Sequence, residues 1–301
     1  MFYSKQLKRN FFDIIDTLLL CVLLSVNRLM IPTRRFVYFL EKMFPYRFLA
    51  AKMTRIPLMK VIINKMLFDK TNLTVLPKES LIEIKLEKII RPPDNIVLPS
   101  QVVEYFIRRA KYRFIMNFCI CREAMTCQEH SIELGCLFLG DTARRINPEF
   151  GREATIEEAL THVQKCRKEG LIHLIGRDKI DETWLGVGSE GKLLTICSCC
   201  SCCCLWKMLS NLDPQINAKV KRMPGVEIIV TEKCTGYGLC IEKCFVHTIT
   251  IQNRKALIGA NCKGCGRCAD CCPNNAIQVT FNDKQFIQKT IDRIESSVDV
   301  L

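Results

Sequence analysis

The sequence predicts an α+β protein with a helical amino-terminal region, a central α/β domain and a small carboxy-terminal domain built on an internal repeat. Three observations carry this. Residues 34–68 alternate basic and apolar residues at helical spacing. Residues 155–196 read as one well-capped helix followed by two apolar strand runs. Residues 234–272 write one cysteine pattern twice, at a constant offset of 28. The expected divisions are a basic helical region over 1–92, a central cysteine-containing α/β domain over 93–224, the repeat domain over 225–282 and a terminal helix over 283–301.

The chain has 301 residues, enough for more than one domain. Its net charge is +13, and +9 of this lies in the first 70 residues. Such a region favours an anionic membrane surface or an acidic partner. No recognised nucleic-acid-binding motif accompanies the charge, so nucleic acid is not expected as a partner. Phe11–Ile31 is the candidate membrane segment. Its core, Leu18–Leu24, is wholly apolar, but about 20 residues of span must take in Asp16 or Arg28. Beyond it, Phe36, Phe39, Leu40, Met43, Phe44, Phe48 and Leu49 stand among Arg and Lys. Basic amphipathic helices of this kind lie at membrane interfaces, or pack their apolar face on the rest of the chain. No small-residue cleavage site follows the apolar run. Many reduced thiols also argue for a reducing compartment. The expected location is therefore cytoplasmic, with membrane association on the cytoplasmic face.

Arg91-Pro92-Pro93 and Pro99 mark a boundary, and helical text resumes at Gln101–Arg113. Cys119, Cys121, Cys127 and Cys136 then fall within 18 residues. They are either buried, inert thiols or ligands of a metal or cluster. His130, between them, reads as a surface or packing residue. Thr155 and Glu158 form a capping box, and Gly170 ends the helix. Leu171–Ile175 and Leu193–Ile196 read as strands around a turn containing Gly186, Gly188 and Gly191, a pattern that also suggests a winged-helix unit. His173 reads as a core histidine. Gly186-Val187-Gly188 lacks the third glycine and the following helix of a dinucleotide site, so flavin or nicotinamide is unsupported.

The block C-S-C-C-S-C-C-C places Cys197, Cys199, Cys200, Cys202, Cys203 and Cys204 in eight positions. Adjacent cysteines bridge one another poorly, and thiolate-rich text selects soft metals or clusters. This block is a candidate third site, with a redox thiol centre or a structural role as alternatives.

The second copy of the repeat reads C-K-G-C-G-R-C-A-D-C-C-P, with Cys262, Cys265, Cys268 and Cys272 followed by Pro273. The first reads C-T-G-Y-G-L-C-I-E-K-C-F, with Cys234, Cys240 and Cys244, Tyr237 in the second cysteine's place and Phe245 in the proline's. Val226–Val230, Thr248–Ile251 and Ala276–Val279 read as strands around the two loops. Over about 226–281 the chain resembles bacterial-type dicluster ferredoxins. In that family the fourth cysteine of each run ligates the other cluster. The resemblance therefore implies a complete 4Fe-4S site at Cys262, Cys265, Cys268 and Cys244. It implies a second site at Cys234, Cys240 and Cys272 that lacks one thiolate. That site takes a 3Fe-4S cluster, or a 4Fe-4S cluster completed by Cys271 or hydroxide, or stands empty. The strings C-I-C-R, L-G-C-L-F-L-G and C-S-C-C-S-C-C-C ahead of a ferredoxin domain also resemble a group of prokaryotic iron–sulfur proteins, which implies an architecture and no defined reaction.

These readings imply an electron carrier serving a redox protein partner. Two alternatives stay open. One is a redox enzyme whose reactive centre is the Cys197–Cys204 block. The other is a membrane-attached subunit or assembly factor of a redox complex. The last helix, Asp283–Val298, places Phe286, Ile287, Ile291 and Ile294 on one side for packing.

Overall fold

The computed structural model describes residues 32–79, 82–83, 98–188 and 190–301. The candidate membrane segment and the proline-marked boundary near residue 92 lie outside these. In chain order the strands are β1 (Asn72–Val75), β2 (Ile82–Glu83), β3 (Arg113–Met116), β4 (Leu137–Leu139), β5 (Gly151–Glu153), β6 (Ile172–Arg177), β7 (Leu194–Cys199), β8 (Val220–Arg222), β9 (Val226–Val230), β10 (Ile249–Gln252), β11 (Lys255–Ile258) and β12 (Ile277–Phe281). Seven of them form a mixed sheet in the order β5-β3-β4-β7-β6-β1-β8. Its pairs are antiparallel except β1 with β8. The carboxy-terminal repeat forms the hairpin β10-β11 and the pair β12-β9, to which β2 from the amino-terminal region adds a third strand.

β7 is the strand that positions the chemistry. All six of its residues are buried, as befits a central strand covered on both faces. The pleat puts Thr195, Cys197 and Cys199 on one face and Leu194, Ile196 and Ser198 on the other. Ser198 Oγ meets His173 Nδ1 of β6 at 3.3 Å. Thr195 Oγ1, on the cysteine face, donates to Asp181 Oδ2 at 2.9 Å.

The helix Ile156–Lys168 forms as its text predicts. Thr155 Oγ1 accepts from the Glu158 N–H, and the Glu158 carboxylate accepts from the Thr155 N–H. Its Ala159, Val163 and Cys166 are buried, and it packs against the helix Ser100–Arg109. The latter stops four residues short of Arg113. The Arg113 side chain turns back and donates to the carbonyls of Ile107 and Ala110, capping the helix end while its backbone starts β3.

Two expectations are corrected. The strands flanking Gly186–Gly191 are not a wing: β6 and β7 are inner strands of the large sheet, and their connection contains the helix Lys179–Trp184. Asp178 caps that helix by accepting from the Ile180 N–H, and Trp184 is buried. The amino-terminal stretch is not wholly helical either. Residues 72–75 read Asn-Leu-Thr-Val, whose buried Leu73, Thr74 and Val75 suit a strand. This strand joins the large sheet, and β2 pairs with β12.

The amino-terminal helices Arg34–Met43, Arg47–Met53 and Pro57–Ile63 cover the cysteine face of β7, with Leu40, Phe44, Ala51 and Ile63 facing Cys197 and Cys199 across one cavity. Their apolar stripe is therefore used for packing. The last helix, Phe286–Glu295, buries Phe286, Ile291 and Ile294 and contacts β1, β6 and the helix Ser100–Arg109.

Gly176 shows how closely β1 and β6 approach. Its φ is +145°, and a Cβ there would lie 2.1 Å from the Asn72 carbonyl oxygen. Gly176→Ala is expected to cost about 3 kcal/mol, from backbone strain and overpacking together, read as a lower urea midpoint against the wild-type chain.

Candidate metal centres

The fold gathers the described cysteines, apart from the helix cysteine Cys166, into three groups. The first is the carboxy-terminal repeat, where the 28-residue offset extends to the backbone. Gly236 and Gly264 have φ of 73° and 69°, Gly238 and Gly266 have 95° and 79°, and His247 and Asn275 have 47° and 48°. The Cys234 and Cys262 amides donate to the Thr231 and Gly259 carbonyls, again 28 apart. Sulfur contacts repeat as well. The Thr248 N–H donates to Cys244 Sγ at 3.5 Å, and the Ala276 N–H donates to Cys272 Sγ at 3.3 Å. Two copies of one loop thus fold alike, although one carries Tyr237 where the other has Cys265.

The thiols group in the crossed pattern. Burial first, then the negative charges of Cys265, Cys262 and Cys244, hold the Cys268 thiol far above its ordinary value. Burial and then the charges of Cys234 and Cys272 raise Cys240. Cys244 therefore sits with the second run and Cys272 with the first. Cys234, Cys240 and Cys272 line one small cavity beside Tyr237, whose side chain is 75% exposed. Cys271 is near this site too: burial raises its thiol first and the charge of Cys240 next.

The second group is Cys127, Cys200, Cys202 and Cys203, whose sulfurs all lie within 4.8 Å of one another. Cys127 Sγ and Cys202 Sγ are 3.5 Å apart, and the Cys203 N–H donates to Cys200 Sγ at 3.2 Å. Four thiolates at about 2.3 Å from one tetrahedral ion stand about 3.8 Å apart, so this quartet can hold a single ion. His130 and Glu129 lie within the same 4.8 Å span of Cys202, which brings His130 next to the quartet.

The third group lines the cavity under the amino-terminal helices: Cys119, Cys121, Cys136, Cys197, Cys199 and Cys204. β4 and β7 pair antiparallel with Leu137 opposite Ile196, which sets Cys136 opposite Cys197. Cys119 and Cys121 flank the start of the helix Ile120–Ala124. Hydrogen bonds from Cys197 and Cys204 pull Cys199 well below its ordinary value, and Arg267 and Arg122 add to this against the effect of burial. A hydrogen bond with Cys121 draws Cys119 down to about 7. Hydrogen bonds with neighbouring cysteines, and then burial, raise Cys121, Cys197 and Cys204, and Cys136 is raised too, so of these six only Cys119 and Cys199 are shifted toward thiolate.

The eight-residue cysteine block is accordingly not one site. Cys197, Cys199 and Cys204 face the cavity, whereas Cys202 and Cys203 join Cys127. Cys200 touches both groups. Cys119, Cys121 and Cys136 belong with the former, Cys127 with the latter. His173 is buried, and burial holds its ring down at about 3, as fits a core histidine. Sequence reasoning missed the cations. Arg47, Arg122 and Arg267 are buried against these thiols. Two of them left a signal: Arg122 follows Cys121 in C-I-C-R, and Arg267 stands between Cys265 and Cys268.

The chain's cysteine groups can therefore hold metal. Among the described residues no helix is long and apolar enough to cross a membrane. Comparison with family models, with curated proteins and with solved structures finds no match to the chain.

Proposed function

We propose that this chain is an iron–sulfur electron-transfer protein. Cys262, Cys265, Cys268 and Cys244 hold a complete 4Fe-4S cluster. Cys234, Cys240 and Cys272 hold a second cluster, 3Fe-4S or an atypical 4Fe-4S. The observation that supports this reading is the doubled loop, which gathers Cys244 with one run and Cys272 with the other. The fit rests on donor chemistry: soft thiolates on concave loops, with backbone N–H groups aimed at sulfur.

Such clusters supply one-electron transfer at a potential set by charge, exposure and hydrogen bonds to sulfur. The chain's own residues orient the thiolates, shield them from water and donate hydrogen bonds to them. No acid or base is required, because outer-sphere transfer breaks no covalent bond. We assign the Cys127, Cys200, Cys202 and Cys203 quartet to a single zinc or iron ion, which ties the loop after β7 to the loop after Cys119.

A redox protein receives or supplies the electrons. Attachment to an anionic membrane surface at the cytoplasmic face is supported by Leu58 and Val61, which are 72% and 65% exposed. They share a helix face at a spacing of three, with Ile56 and Ile62 exposed nearby and Lys52, Arg55 and Lys65 also on the surface.

The test is anaerobic purification with iron and sulfide counts and electron paramagnetic resonance. The expected result is a reduced-state signal from the complete site and iron and sulfide in near-equal amounts. Fewer than about four irons per chain would overturn the reading.

A further inference from the structure

We propose that Cys119, Cys121, Cys136, Cys197, Cys199 and Cys204 hold a polynuclear metal–thiolate cluster containing inorganic sulfide, inside the central fold and counterbalanced by Arg47, Arg122 and Arg267. Its six thiols lie outside the carboxy-terminal repeat, and the test of the site takes the clusters assigned to that repeat as its reference.

Space is the first argument. The six thiols share a cavity of about 180 Å³, where one water needs only about 10–15 Å³. The rest of its wall is mainly apolar, including Leu67, Phe68 and Met208. Unlike the quartet at Cys127, whose sulfurs suit a single ion, the six do not gather within 4.8 Å of one another among the described residues; they meet in pairs, Cys119 with Cys121, Cys136 with Cys197 and Cys199 with Cys204. A larger metal core is needed to touch sulfurs so arranged.

Charge is the second. Arg122 is 0% exposed, Arg267 6% and Arg47 8%. None of the three has a carboxylate partner among the described residues. Their hydrogen bonds go mostly to carbonyls: Arg122 to Ser131, Ser198 and Leu134, Arg267 to Cys199, and Arg47 to Phe44. Among the described residues Arg47 Nε and Arg267 Nη1 have no hydrogen-bond partner; the Arg47 guanidinium lies over the Phe44 and Phe48 rings and that of Arg267 over Phe245, contacts that carry no counter-charge. A buried cation without a counter-charge costs several kcal/mol. The carboxylates on the cavity wall are committed elsewhere, Asp181 to Trp184 and Thr195 and Asp178 to the Ile180 amide. The negative charge within reach of these three cations is that of the cysteine sulfurs, and thiolates bound to a metal core keep negative charge there. Each ligating thiol gives its proton to solvent as its metal–sulfur bond forms.

The experiment uses the full chain, purified anaerobically, with Cys197→Ser/Cys199→Ser. Iron and acid-labile sulfide are each expected to fall by about three to four per chain. The carboxy-terminal signal, which a Cys265→Ser chain loses, is expected to persist and serves as the control for folding. Cys202→Ser should instead lose one ion and no sulfide. Arg47→Met, which removes no ligand, should shift the midpoint potential of the central centre downward, because a nearby cation stabilises the more negative, reduced state. Unchanged iron and sulfide in the double variant would overturn the proposal, as would loss of a single ion without sulfide. Should that variant fail to fold, native mass spectrometry of the wild-type chain decides. Bound mass beyond the two carboxy-terminal clusters and one ion supports the site, and its absence overturns it.

Discussion

A Cys244→Ser chain is expected to lose the same reduced-state resonance as a Cys265→Ser chain, with about four irons and four sulfides, while the signal of the Cys234 site remains. The physical reason is the crossing of the two loops. Cys244 lies in the first run, only four residues from Cys240, yet its charge acts on Cys262, Cys265 and Cys268. A local arrangement would make Cys244→Ser behave like Cys240→Ser instead. Metal counts and spectra of the three variants, recorded side by side, separate the two patterns. A Cys244→Ser chain that lost only the Cys234-site signal would refute the crossed arrangement.

Tyr237→Cys is expected to convert the incomplete site. Its neighbours Gly236 and Gly238 hold the same left-handed backbone as Gly264 and Gly266 around Cys265, so a cysteine at 237 starts where Cys265 starts. Tyr237 is 75% exposed, and removing its ring leaves no core void. The oxidised 3Fe-4S signal should disappear, iron should rise by about one per site, and a second reduced-state 4Fe-4S signal should appear. If Cys271 completes the site in the wild-type chain, Tyr237→Cys leaves the iron count unchanged and Cys271→Ser lowers it. The two variants together decide which side chain supplies the fourth ligand.

Much of the fold was legible where the deciding interactions are local. The capping box at Thr155 and Glu158, the strand Val226–Val230 and the packing face of the last helix each depend on residues a few positions apart. The helix expected to reach Arg113 ends at Arg109 because Arg113 is claimed by β3 and by the carbonyls it caps. The strand at 72–75 went unread because its neighbours are helical text and its partners, β6 and β8, lie about a hundred residues or more downstream.

The same division runs through the candidate metal sites. The sequence by itself determined that the carboxy-terminal loops carry cysteines in two related sets, with one position altered at Tyr237, because the spacing of cysteines along one tight turn is a local property. Only the tertiary structure decided how the remaining thiols are shared out. Strand pleat turns Cys197 and Cys199 to one face, antiparallel pairing sets Cys136 opposite Cys197, and the chain reversal after β7 carries Cys202 and Cys203 to Cys127. Three arginines distant in sequence, Arg47, Arg122 and Arg267, converge on those sulfurs, with no carboxylate partner among the described residues. Long-range pairing and burial decide such a grouping, and neither is written in the spacing of a single segment.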